Sequence, residues 1–428
     1  MTKKTKQKRL SFAEFAATAK YQKILRKRYR QEKIFKSLGF FAIVFSIVFL
    51  FTLIANITMK SRGAFSATVV QMPIFFSHDI LKENDAEFLA QANYRKLLLD
   101  NIKNHFSEAS YSRRNKVKIF HFFSKDSTLD LKEHIIANPE HIGTTQLIWL
   151  KTSSNIDQYY KEHTRYIDPF YESLIHKYFN QDAMKISYSW NYFTNGDSTE
   201  AELAGVATAI VGSLFTMIIF LAISFPLAVL LALYLEEFSP KNKLTDLIEI
   251  NINNLAAIPS IIFGLLGLAI FINFFEMPRS SALVGGFTLS LMVLPTIVIS
   301  TRNAIQAIPQ NIKDAALGMG ASNIQVALHH TLPLALPGIL TGTILAVARA
   351  IGETAPLLMI GMIAFIVDVP KGFTDPTTVL PVQIYLWSNN PEIGFVEKTS
   401  ATIMLLLVFL VLFNGLAIYL RNKFSKRW

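Results

Sequence analysis

Long apolar stretches, almost free of charge, recur along the chain. They run from Ser37 to Met59, Ala204 to Leu235, near Asn253 to Phe275, Ala282 to Ser300, Pro337 to about Ile366, and Thr399 to Leu420. About 20 apolar residues of helix cross the hydrocarbon core of a bilayer. The pattern therefore predicts an all-α polytopic membrane protein with six transmembrane helices. Only Glu276 to Ser281 separates the third stretch from the fourth, so these two are expected to form a tight hairpin, and Glu236 to Glu249 reads as a short polar loop on the inner side.

Residues 60–203 follow a different rhythm. Asp85 to Phe106 and Asn155 to Phe179 repeat with helical periodicity, while Lys116 to Phe123 and Thr144 to Leu150 look like strands. A small α+β domain inserted after the first span is expected, on the extracytoplasmic side. His134 and His141 lie seven apart with no third partner evident, and they read as surface histidines rather than metal ligands.

Composition agrees with a membrane solvent: 51% of the 428 residues are hydrophobic. The chain has no cysteine, which excludes disulfides, thiolate metal sites and cysteine nucleophiles. The net charge of +11 is held entirely by residues 1–36, where 13 Lys/Arg face only Glu14 and Glu32. A basic tail just before a first span places the N-terminus in the cytoplasm, and Arg421, Lys423, Lys426 and Arg427 place the C-terminus there too. Attraction to lipid headgroups is its natural second role, not nucleic-acid binding. The first apolar run is too long and too far from Met1 to be a cleaved signal. The domain plan is a basic tail (1–36), a first transmembrane helix (37–59), a periplasmic α+β domain (60–203) and a core with five further spans (204–428).

The chemistry concentrates between Arg302 and Gly361. Pro309 suits a helix start, Gln310 to Gly318 continues it, and Gly318 and Gly320 offer the left-handed conformation that ends it. Ser322 followed by Gln325 fits a capping box that restarts a second helix, and Leu332-Pro333 and Leu336-Pro337 are expected to break it before the next span. Loop 302–336 thus reads as helix, Gly turn, helix along the membrane surface. Further on, Arg349 and Glu353 stand inside an apolar stretch, where charges are costly and mark function. At about 100° per residue, Gly338, Gly342, Ala346, Arg349, Glu353 and Pro356 share one quarter of a helix. The charged pair therefore faces another helix, either as a lock between subunits or as part of a translocation path or its gate.

The loop resembles the cytoplasmic coupling loop of ABC-importer permeases. Asp314-Ala315-Ala316, Gly320 and Leu332-Pro333 match that family's spacing, with Asp314 where Glu is usual and His330 where Ile is usual. The run Ala348 to Leu358, with Arg349, Glu353, Thr354 and Pro356, looks like the signature of phosphate-specific permeases, and Trp387 to Phe395 is nearer to the PstA type than to the PstC type. The resemblance covers Ala204 to the C-terminus and implies a type I importer permease fold. It also implies the partners: a PstC-type permease forming a heterodimer, a PstB-type ATPase dimer docking on the coupling loop, and a PstS-type periplasmic phosphate-binding protein, all at a bacterial inner membrane. No Gly-Lys dipeptide occurs, so the chain lacks a phosphate-binding P-loop; it is expected to hold no cofactor, with ATP and Mg bound by the ATPase. A permease for another oxyanion and a membrane-anchored sensor are the alternatives. The tails and inner loops are too short for a sensor's output domain, and no inverted second half suggests a secondary transporter.

Overall fold

The computed structural model describes residues 19–81, 86–106, 112–164, 166–178, 181–363 and 365–424. The basic residues before Ala19, and Lys426 and Arg427, lie outside the described residues. The chain divides into two compact units, 1–59 and 60–428. In the first, helix α1 (Ala19–Ser61) carries the apolar run Ser37 to Met59 without interruption, and phenylalanines on its face are widely exposed, as expected for a surface that meets lipid.

The second unit begins with β1 (Ser66–Phe75), the centre of a three-stranded antiparallel sheet. Its neighbours are β2 (Thr145–Lys151), with Met72 opposite Ile148, and β3 (Met184–Tyr188), with Thr68 opposite Ile186. Val70, Met72 and Ile74 alternate onto the covered face, where helices α2 (Ala86–Gln91), α3 (Tyr94–His105), α4 (Arg113–Phe120), α5 (Ser127–Ala137), α6 (Ser154–Tyr160) and α7 (Pro169–Tyr178) supply Leu97, Ile119, Leu131, Ile156 and Leu174. Asn101 on α3 closes the free edge of β1, accepting from Phe75 N and donating to Phe75 O. Lys116 to Phe123 is not a strand: Ser112 caps Arg114 N and the segment coils as α4, which buries Ile119 and packs Phe120 on the core while Val117 stays exposed. His134 and His141 do meet, with Nε2 and Nδ1 3.0 Å apart.

Charge fastens this region to the last helix, α18 (Gly394–Phe424). Lys161 Nζ donates to Gly63 O (2.9 Å), Ser66 O (2.8 Å) and Asp157 Oδ2 (2.6 Å), and lies 3.4 Å from Glu397 Oε2. Burying two charges costs several kcal/mol unless each is paired, and here the carboxylates and carbonyls satisfy the ammonium group. Nearby, burial pushes the Glu202 carboxyl up to about 7.

After the short helix α8 (Asn191–Thr194), α9 (Ala207–Glu237) and α12 (Ala282–Gln306) pack side by side. Gly286 is what lets them close, because a Cβ there would meet Thr216 O at 3.2 Å and overlap Ile219. Between them, α10 (Lys243–Ala256) and α11 (Ser260–Gly267), the latter continued by a π-helical stretch to Phe274, are bent by 103°. The polar loop expected to run to Glu249 is therefore short: Asn242 caps Thr245 N and the helix starts at Lys243. Pro259 lacks the N–H that would carry it on, and the chain turns there.

Next come α13 (Gln310–Gly318), α14 (Asn323–Val326) and α15 (Leu332–Ile351), then α16 (Ala355–Met359) and α17 (Leu380–Ser388). Among the described residues, five helices are long and apolar enough to cross a membrane, six if the bent pair counts as one span.

Candidate functional site

The loop folds as its sequence predicts at one end and not at the other. Gly320 takes φ +89°, and Ala321 N donates to Ala316 O, closing the end of α13. Ser322 and Gln325 then form the reciprocal capping box, with Ser322 N donating to Gln325 Oε1 at 2.9 Å. The two Leu-Pro pairs do not break the second helix. A π-helical turn, Ala327–Thr331, joins α14 to α15 and puts Pro333 in the first α-turn, where its missing N–H costs little. Pro337 sits inside the helix without ending it, and Thr341 Oγ1 donates to its carbonyl at 2.7 Å, a back-bond within the same turn. Asn323 to Ile351 is thus one helix of 29 residues.

On the loop surface Asp314 and Ala315 are exposed, Ala316 is fully buried, and Leu317, Met319 and Ile324 form an exposed apolar rim. Gln310 Nε2 donates to Asp314 Oδ1 (3.1 Å). Leu332 packs against Ile305, Ala335 and Ile339, while Pro333 is exposed. Small residues beside a ring of exposed apolar ones form a shallow seat on which another protein's helix can approach closely.

Charges that the sequence reading did not single out hold this seat. Lys313 Nζ pairs with Glu237 (2.6 Å), and Arg302 bridges Glu236 (Nε, 2.6 Å) and Glu249 (Nη2, 2.7 Å), tying the ends of α9, α10 and α12 to α13. All but Glu249 are mostly buried, which makes the bridges firmer than surface pairs. The signal was available in part: Glu236, Glu237 and Arg302 each stand at a boundary between an apolar stretch and a polar one, whereas Lys313 lies inside the loop.

At the far end of α15 the expected span does not run to Ile366. Helix stops at Ile351, Gly352 turns, and Glu353 and Thr354 lead into α16. Arg349 Nε still meets Glu353 Oε1 at 3.4 Å, the carboxylate mostly buried and the guanidinium half exposed. Gly338 and Gly342 face α12 as the helical stripe implies: a Cβ on Gly338 would lie 2.7 Å from Ala304 Cβ, and one on Gly342 would overlap Ser300. Pro356, by contrast, leaves the stripe and is buried against Gly264 of α11, whose absent Cβ makes room for its backbone. The structure therefore joins Arg349 and Glu353 and separates Pro356 from them.

A sequence comparison decides the family. The phosphate transport system permease protein PstA of Haemophilus influenzae is 31% identical over 226 residues, covering 53% of this chain and 79% of that protein. The chain belongs to the PstA family of permeases. PstA of Pasteurella multocida is 30% identical, over 50% of this chain and 75% of that protein. Residues 224–426 match the family described as "Binding-protein-dependent transport system inner membrane component", and residues 22–167 match a domain of unknown function, DUF3333. Among solved structures, an inward-facing form of the MetNI methionine ABC transporter is similar over 52% of this chain and 96% of that one, at 19% identity and a TM-score of 0.41. A PstA-family chain is a membrane-embedded permease subunit of an ABC importer and is not itself an enzyme.

Proposed function

We propose that the chain supplies half of the transmembrane path of an ATP-driven phosphate importer. Its seat around Asp314, Ala315, Ala316 and Gly320, with Leu332 and Pro333 at the helix root, receives a PstB-type ATPase. A PstC-type permease completes the path, and a PstS-type binding protein delivers phosphate to the face that carries residues 60–203. The N- and C-termini then lie in the cytoplasm, where the basic residues flanking the first and last spans put them. ATP and Mg belong to the ATPase.

One observation carries this reading: a single helix, Asn323 to Ile351, starts beside the seat, carries Leu332 and Pro333, and ends with Arg349 in its last turn, two residues before Glu353. At about 1.5 Å per residue that is roughly 43 Å of rigid rod. A displacement of the seat by an ATPase passes the hydrogen-bonded Gly320 turn into this helix, and from there reaches the charged pair with one irregularity, the π-helical turn at Ala327–Thr331. Arg349, Glu353 and Thr354 form the gate or path lining at the other end, with Pro356 buried behind them against α11, and the half-exposed guanidinium is the group there that attracts an anion.

The experiment is labelled phosphate uptake by starved cells that lack their own high-affinity permease and receive this chain with its neighbouring subunits. Saturable uptake that arsenate blocks and sulfate does not, lost in Glu353→Gln while the chain still inserts, supports the substrate and the residue together. Normal uptake by Glu353→Gln reduces the pair to packing, and an assembled complex without uptake removes phosphate as the substrate.

A further inference from the structure

Where residues 60–203 meet the start of α18, the second unit leaves open a cavity of about 380 Å3, lined by Lys60, Gln158, Glu162, His163, Ile393, Val396 and Glu397. We propose that it binds a zwitterionic phospholipid headgroup of the ethanolamine class, from the leaflet on the side of residues 60–203.

Depth comes first. Lys60 directly follows the uncharged run Ser37 to Met59, and Glu397 with Lys398 directly precedes the apolar stretch that starts at Thr399. Both ends of the cavity thus lie where hydrocarbon gives way to headgroups, the layer in which Lys and Arg settle. Chemistry comes second. Lys60 offers an ammonium and Glu162 a carboxylate, and neither carries an ion pair among the described residues. A headgroup with a phosphodiester and a primary ammonium a few ångströms apart complements that pair of opposite charges, whereas an anionic headgroup meets Glu162 and Glu397 unfavourably. His163 is already engaged, its Nδ1 paired with Glu397 Oε1, and Glu397 is further shared with Lys161.

Two features point to a built site. Ile393 and Val396 are about half exposed on the same wall, so an acyl chain leaving the headgroup has apolar surface to follow onto α18. Glu162 is also fixed in place: it takes φ +60° as the left-handed residue that closes the helix ending at Tyr160, where His163 N donates to Gln158 O. That turn puts Glu162 on the cavity wall.

The test uses the full chain purified in detergent and equilibrated with mixed micelles of phosphatidylethanolamine and phosphatidylglycerol, equal in amount and matched in acyl chains. Mass spectrometry of the retained lipid reads the ratio. An ethanolamine enrichment of about fivefold is expected, the effect of one to two partly exposed charge contacts, falling toward one in Lys60→Gln and in Glu162→Gln. Ile393→Ser with Val396→Ser is expected to lower total retained lipid while leaving the chain monodisperse. Equal retention of the two lipids, or an enrichment that survives both Lys60→Gln and Glu162→Gln, overturns the proposal. So does displacement of the bound lipid by millimolar inorganic phosphate, which would make the cavity a site for the soluble anion.

Discussion

Replacing Gly338 by alanine tests the contact that sets the spacing of α12 and α15. Two methyl carbons rest about 3.5–4.0 Å apart. The new Cβ would stand 2.7 Å from Ala304 Cβ, an overlap of about 1 Å that the helices relieve only by separating. Overpacking of this size costs about 1–3 kcal/mol, while alanine gains about 1 kcal/mol over glycine in a helix, so the net loss is about 1 kcal/mol. Ala304→Gly alone loses about the same through helix propensity. Together they remove the clash, because the nearest remaining atom is then Ala304 Cα at 3.5 Å. The double variant is expected near wild-type stability, a coupling of about 2 kcal/mol in favour of the pair. Unfolding by SDS in mixed micelles measures all four corners of the cycle, and phosphate uptake follows the same samples. Additive effects within about 0.5 kcal/mol would mean that these helices do not depend on this contact, and the reasoning would fail.

The remaining predictions concern the seat and the buried charges. Ala315→Trp places a large ring on the exposed small face and should abolish co-purification of the ATPase while leaving the chain inserted; undiminished co-purification moves the docking face elsewhere. Arg302→Gln leaves Glu236 and Glu249 without their shared partner and should cost about 2 kcal/mol, read as a lower unfolding midpoint together with weaker ATPase binding. Glu202 keeps its proton in the folded chain up to about pH 7 but loses it near 4.5 when unfolded. The folded state then binds more protons between these values, so stability is full below about pH 4.5 and declines as pH rises through 7. Asp130, raised by burial to about 6, acts in the same direction. Glu202→Gln should flatten that slope and raise the melting temperature at pH 7.5 relative to wild type; an unchanged slope assigns the pH dependence to other groups.

Local rules decided what was legible in the sequence. The apolar runs determined the spans because a bilayer admits little but helix, and the capping box at Ser322 and the left-handed turn at Gly320 depend only on residues three or four apart. The stripe of Gly338, Gly342 and Arg349 follows from helical periodicity alone, so the face it forms was visible before any partner helix was. Three things needed the tertiary structure. Whether Pro333 breaks a helix depends on the π-helical turn that places it in the first α-turn, and Pro337 stays inside a helix that its neighbours hold together. Where span five stops depends on Gly264 of α11, which leaves room for Pro356 to turn away. The seat of the loop depends on Arg302, Lys313, Glu236, Glu237 and Glu249, which are distant in sequence and paired only once α9, α10, α12 and α13 have packed. Local hydrogen bonds and hydrophobic period act over a few residues and are written in the chain, whereas close approach and charge pairing act across it and exist only when the helices have met.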